Sequence, residues 1–184
     1  AALALERRPD LRRKAIEWLT YNCAPTGLWS GMVGIADPSV TAWTQYKSTK
    51  TEKNRAGLVE LAKDLLSEPS YQAEALKLSA AAGISEVGPE VIALVTAKDT
   101  AAATRDQALA FVVQTKPQGA KEALLTLLAS DDAGLRSKAA AALIELGQYA
   151  AIKPLVASGS DTRVAAGVVD RMVQTTAGAL ALWK

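Results

Sequence analysis

Residues 130–147 read SDDAGLRSKAAAALIELG, and residues 148–156 continue QYAAIKPLV. The stretch opens on Ser130-Asp131-Asp132. Short oxygen-bearing side chains of this kind accept hydrogen bonds from the unpaired N–H groups of a helix's first turn. The alanine-rich run that follows favours helix over 133–146. Gly147 ends it, at a position where a turn needs positive φ. A second helix, carrying Leu155 and Val156, spans 149–157. Two short helices joined by one tight turn form a hairpin, and one hairpin cannot bury both of its apolar faces. It must stack on others of its kind.

The same order recurs on both sides. Asp99 precedes Asp132 by 33 residues, Arg105 precedes Arg136 by 31, and Arg136 precedes Arg163 by 27. Ala108 precedes Ala139 by 31, and Asp131 precedes Asp161 by 30. Around this core a helix over Pro69–Ala82 ends at Gly83, and a short apolar helix covers Pro89–Ala97. Asp99-Thr100 form a cap-like pair before a helix running through Val113, which Lys116-Pro117 stops. Gln118–Ala129 is helical, with Ala120, Ala123, Leu124, Leu127 and Leu128 spaced by three and four. A helix over 162–175 and a last apolar stretch, Ala177–Trp183, complete the series. The period predicts an all-α chain, an α-solenoid of about five antiparallel helical hairpins. Asp residues are expected to cap the helices, and Arg105, Arg136 and Arg163 to pair with the Asp of a neighbouring repeat in a ladder.

Asp131, Asp132, Leu135, Arg136, Ala139–Leu143, Leu146, Gly147 and Leu155 together resemble the short HEAT-like repeats of bacterial and phycobilin-lyase-type proteins. The resemblance spans about residues 68–175. The unit before keeps Asp99 and Arg105, and the unit after keeps Asp161, Arg163 and Val164. It implies helical repeats, and it leaves the function open because this fold hosts many roles.

Residues 1–67 break the rhythm and read as an atypical, aromatic-rich capping region of one 184-residue domain whose repeats occupy 68–184. Pro9–Asn22 still looks like a repeat's first helix, with Asp10 as its cap and Ala15, Ile16 and Leu19 as its apolar stripe. Glu52–Leu66 is an amphipathic helix with Leu58, Leu61, Leu65 and Leu66 on one face, Thr51 at its N-cap and Glu52 at its positive end. Trp18, Tyr21, Trp29, Trp43 and Tyr46 are five of the chain's nine aromatic residues. Trp18 and Tyr21, three apart, fall on one helix side. One reading makes these rings a mini-core sealing the end of the stack, since terminal repeats differ from internal ones. The other makes them a partner-binding surface with Arg13 and Arg55, because Trp, Tyr and Arg dominate binding hot spots. Arg13–Trp18 and Thr51–Arg55 also resemble, over a short span, an uncharacterised bacterial domain, and no residue takes a role from that likeness.

Composition narrows the chemistry. The chain has 37 Ala and 23 Leu, and only 5% of its residues are aromatic, which suits close helix packing rather than β structure. It has no His, which excludes imidazole metal sites and Ser-His or Cys-His catalysis. Its one Cys, Cys23, excludes a disulfide framework, reads as a buried inert thiol, and fits a reducing, cytoplasmic setting slightly better than an exported one. Gly31–Gly34 lacks the lysine and strand context of a phosphate loop. No run of 18 apolar residues occurs. The start at Ala1, mid-pattern, is expected of one piece of a longer chain.

The expected function is a non-catalytic protein-interaction scaffold or adaptor, with a protein partner and no cofactor or metal. Two alternatives follow from the resemblance. HEAT-like DNA glycosylases hold DNA on basic, aromatic-bearing surfaces, but a net charge of +2 with no basic residue recurring along one face argues against nucleic acid. A lyase- or chaperone-like protein binding a small cofactor needs a pocket built from groups such as Asp37, Arg55 or Glu60, and no fixed spacing identifies one.

Overall fold

A computed structural model describes residues 8–23, 52–157 and 162–183. Among the described residues there are ten helices and no strand. They are α1 (Pro9–Cys23), α2 (Arg55–Ser67), α3 (Gln72–Ala82), α4 (Gly88–Thr96) and α5 (Ala102–Thr115), then α6 (Ala120–Leu128), α7 (Ala133–Glu145), α8 (Tyr149–Ala157), α9 (Thr162–Val173) and α10 (Thr176–Trp183). The all-α expectation therefore holds. The chain divides into two compact units, Ala1–Glu90 and Val91–Lys184.

In the first unit α1 and α2 both pack on α3. Leu58, Ala62, Leu65 and Leu66 recur at helical spacing and turn inward, so three of the four expected leucines are buried, while Leu61 is half-buried and Ala62 takes the inner position. They meet Ala75, Leu76 and Leu78 of α3, with Ile84 and Val87 closing the core behind the turn. Gly83 adopts φ 63° at the end of α3, and the Ile84 N–H donates to the Ser79 carbonyl at 2.8 Å. Pro69 was expected to open this helix. It lies instead in the turn 68–71, and α3 starts at Gln72.

In the second unit α7 is the central element, packing on α5, α6, α8 and α9. Its Ala139, Ala140 and Ala142 are buried beside Leu143 and Ile144, and side chains this small let neighbouring backbones approach closely. Successive first helices touch (α5 with α7, α7 with α9), and so do the second helices α8 and α10. Asp132 caps α7, accepting from the Gly134 N–H at 2.7 Å and the Leu135 N–H at 3.2 Å. Asp99 does not play this part. The N-cap of α5 is Ala101, which offers no side-chain acceptor. Asp161 lies outside the described residues.

The stop signals behave as turn chemistry requires. Lys116 holds φ 50°, ψ 53° at the end of α5, immediately before Pro117. Gly147 has φ 73°, with the Gln148 N–H donating to the Leu143 carbonyl at 2.8 Å in a Schellman arrangement. A side chain at Gly147 meets no neighbour, so any cost of substitution is conformational alone. Gly147→Val is expected to destabilise the chain by about 1–2 kcal/mol, the price of left-handed backbone for an L-residue. Unchanged thermal or denaturant unfolding of the variant would contradict this account of the turn.

Candidate functional site

The residues expected to form a partner surface fall into three groups. Trp29, Trp43 and Tyr46 lie outside the described residues, as do Thr51 and the Gly31–Gly34 stretch. Trp18 and Tyr21 stand on α1. Arg13 and Arg55 are ion-paired staples within the first unit.

On α1 only Ile16 is buried, and it faces α3. Ala15 and Leu19 are half-buried beside it, so the stripe read from the sequence is the packed one. The other side of the helix carries Leu11, Lys14, Trp18 and Tyr21, spaced 3, 4 and 3 and all exposed. Such spacing lines up one face of a helix. Trp18 is 65% and Tyr21 71% exposed. Leu11 belongs to this face too, and its seven-residue distance from Trp18 is the sequence signal that marks it. Asp10 was expected to cap α1. The helix instead begins at Pro9, and the Asp10 carboxylate accepts from Arg8 Nε at 3.2 Å and Nη2 at 3.0 Å, which lowers its pKa.

Two arginines hold α1 in place. Arg12 donates through both terminal nitrogens to the Glu68 carboxylate, with Nη1 to Oε2 at 2.9 Å. Its guanidinium carbon also sits 4.6 Å from the centroid of the buried Tyr71 ring, a cation–π arrangement. Arg13 donates to Glu74 Oε1 at 2.8 Å and to the Ser70 carbonyl at 3.2 Å, 5.6 Å from the same ring. Arg13 therefore positions the aromatic face from behind. Cys23, at the end of α1, is half-buried rather than buried.

Arg55 opens α2 and reaches the turn after α3. It donates to both oxygens of Glu86, at 2.8 and 2.9 Å, and to the Gly83 carbonyl at 3.0 Å. The hydrogen bonds from Arg55 hold the Glu86 carboxyl below the usual glutamate range. A carboxylate with a depressed folded-state pKa stabilises the fold above its ordinary value, and the contribution vanishes as pH falls through the folded value. Both side chains are partly solvent-screened, so it amounts to no more than about 1 kcal/mol. Glu86→Gln is expected to cost that much at neutral pH, and the cost is expected to fade in acid as pH drops through the lowered folded-state value and the carboxyl is protonated. Paired melting curves at neutral and acid pH check it. A constant difference between them would contradict it.

Two of the repeated arginines reach back to their own turns. Arg105 donates to the carbonyls of Ala97 and Lys98, at the exit from α4. Arg136 donates to the Ser130 and Asp131 carbonyls at 2.8 and 3.0 Å. Each thus ties the turn before its own helix, and Arg105 does so in place of the expected pairing with a neighbouring repeat's Asp. Other side chains do join α5 to α7 and α7 to α9. Asp106 pairs with Lys138, 32 positions on, and Glu145 with Arg171, 26 on.

Among the described residues no cluster of His, Cys, Asp or Glu is arranged to hold a metal ion. Among them, too, no helix is long and apolar enough to cross a membrane. Glu60, one of the groups weighed for a cofactor pocket, is exposed on α2, and Asp37 lies outside the described residues. Comparison with family models, curated proteins and solved structures returns no match.

Proposed function

We propose that the chain is a non-catalytic scaffold that binds a protein partner through α1, on a framework of stacked HEAT-like hairpins forming an α-solenoid. The observation that carries the binding reading is Trp18, 65% exposed on a helix whose opposite side is fixed by Ile16 and two arginines. A large ring held out by a rigid element contributes contact area without an ordering cost on binding, which is how aromatic hot spots work. The next-but-one helix contacts and the ion pairs at repeat spacing support the framework reading.

Affinity co-purification from the source cells tests the reading. Trp18→Ala is expected to cut recovery of a bound protein at least tenfold, as hot-spot truncation does. Lys77→Ala, exposed on α3, is expected to leave it intact. Helicity stays the same in both. Loss of folding in Trp18→Ala would make the ring part of the cap, and full recovery of the partner would move the binding surface elsewhere.

A further inference from the structure

We propose that the occupant of the α1 face is an amphipathic helix of the protein partner that sets a carboxylate against Lys14, a reading that rests on α1 being the partner surface. Leu11, Lys14, Trp18 and Tyr21 follow one another at 3, 4 and 3 residues, the spacing of a helix–helix seam. Side chains so spaced fit the ridge of another helix, whereas a strand, with its period of two, matches them poorly. Leu11 is 42% exposed, and with Trp18 and Tyr21 it makes the seam apolar except at Lys14.

Lys14 stands inside the seam, with Leu11 and Trp18 one turn to either side. The cations around it are all engaged: Arg8 with Asp10, Arg12 with Glu68 and Arg13 with Glu74. Among the described residues Lys14 has no ion pair of its own. Asp10, one turn before it, feels its charge but is already held by two hydrogen bonds from Arg8. Glu17, the other carboxylate of α1, stands exposed at the edge of the seam. When Leu11, Trp18 and Tyr21 are covered, the Lys14 ammonium loses water with them, and an uncompensated ammonium opposes binding. A carboxylate on the partner offsets that loss, and partners without one are rejected, so Lys14 sets specificity more than strength. A second copy of this chain is a poor occupant, because the seam has no carboxylate of its own. In either direction of pairing Lys14 meets another Lys14 or an apolar side chain.

Three synthetic, helix-stabilised peptides test this, identical in their apolar seam except for one central seam residue, Glu, Gln or Lys. Each is labelled and titrated with the full chain, and fluorescence anisotropy reads the binding. The Glu peptide is expected to bind about tenfold more tightly than the Lys peptide at low salt, with the margin shrinking as salt is added. Lys14→Glu is expected to reverse the order and Lys14→Gln to level it, both with an unchanged circular dichroism spectrum. Trp18→Ala is expected to weaken all three peptides and keep their order. Equal binding of the three, still weakened by Trp18→Ala, would overturn the carboxylate and leave α1 as the surface, the Lys14 ammonium then reaching past the seam to water. An order that Lys14→Gln leaves unchanged would overturn it too. Binding of none of the peptides, or binding indifferent to Trp18→Ala, would overturn the reading of α1 beneath it. A mass above 19.3 kDa in sedimentation velocity that Trp18→Ala returns to 19.3 kDa would seat a second copy on the face and overturn the proposal as well.

Discussion

Gly178→Ala is expected to destabilise the second unit by about 2–3 kcal/mol, the range of overpacked sites that cannot relax. Gly178 is buried in the first turn of α10, immediately after the tight link from α9. Its N–H donates to Thr175 Oγ1 at 3.0 Å, so Thr175 caps the helix. A methyl group at 178 would collide with the Met172 carbonyl oxygen and stand 2.8 Å from Thr175 Oγ1. The obstacle is backbone, and the Met172 side chain beneath it is itself fully buried. Relief requires α10 to move away from α9, which also gives up the Thr175 cap. Gly167→Ala is the matched control. Gly167 lies inside α9, exposed, with open space where its Cβ would be. There alanine is expected to stabilise by up to about 1 kcal/mol through helix propensity. Denaturant unfolding of the two variants checks the contrast, and two changes of the same sign would refute it.

Gly178 marks where the sequence stops being legible. Local chemistry was readable. Gly83 and Gly147 announced left-handed turns, Lys116-Pro117 announced a stop, and Asp132 announced a cap, because each signal is spent within a few residues of itself. Gly178 announced nothing, since the need for it arises from the close approach of a carbonyl six positions earlier across a link whose path is set by packing. Asp99 failed for a related reason. Its side chain suits an N-cap, but the helix starts beyond it, at a turn that Arg105 fixes by donating to Ala97 and Lys98. The arginine period was real, and Arg105 and Arg136 use it to tie the turns before their own helices.

The site was legible by halves. Two aromatic residues three apart on a helix share a side, and Trp18 and Tyr21 do so in solvent. Which side of α1 faces solvent depends on α3, and on Glu68, Ser70, Tyr71 and Glu74, more than fifty positions away in the chain. No pattern inside residues 9–23 specifies those partners. Arg13 and Arg55 therefore read as partner-surface groups and are staples, whereas Leu11, seven residues from Trp18, is exposed beside it.

Ile16→Ala is expected to release α1 without unfolding the rest of its unit. Ile16 is the one buried side chain on that helix, and truncating a buried isoleucine costs about 2–5 kcal/mol. The polar contacts left to α1 are the bidentate Arg12–Glu68 pair, the Tyr71 ring contact and the Arg13 bonds, together worth about 2–3 kcal/mol, beside the half-buried Ala15 and Leu19. Against the conformational entropy of holding a 15-residue segment in place, that remainder is small, so the truncation shifts α1 from docked to undocked for much of the time. The core of Leu65, Leu78, Ile84 and Val87 does not include Ile16's helix and is expected to persist. Amide hydrogen exchange reads this directly: protection over 9–23 falls toward that of a free peptide, while 58–66 and 75–82 stay protected. Uniform loss across the unit would show that α1 is integral to one cooperative core. The same variant bears on function. If partner binding relies on a pre-ordered α1, Ile16→Ala weakens it by the undocking free energy, although Ile16 points away from the partner face. Arg12→Ala, removing a smaller share of the same anchorage, is expected to fall between it and the unmodified chain, and equal binding by all three would leave pre-ordering without a role.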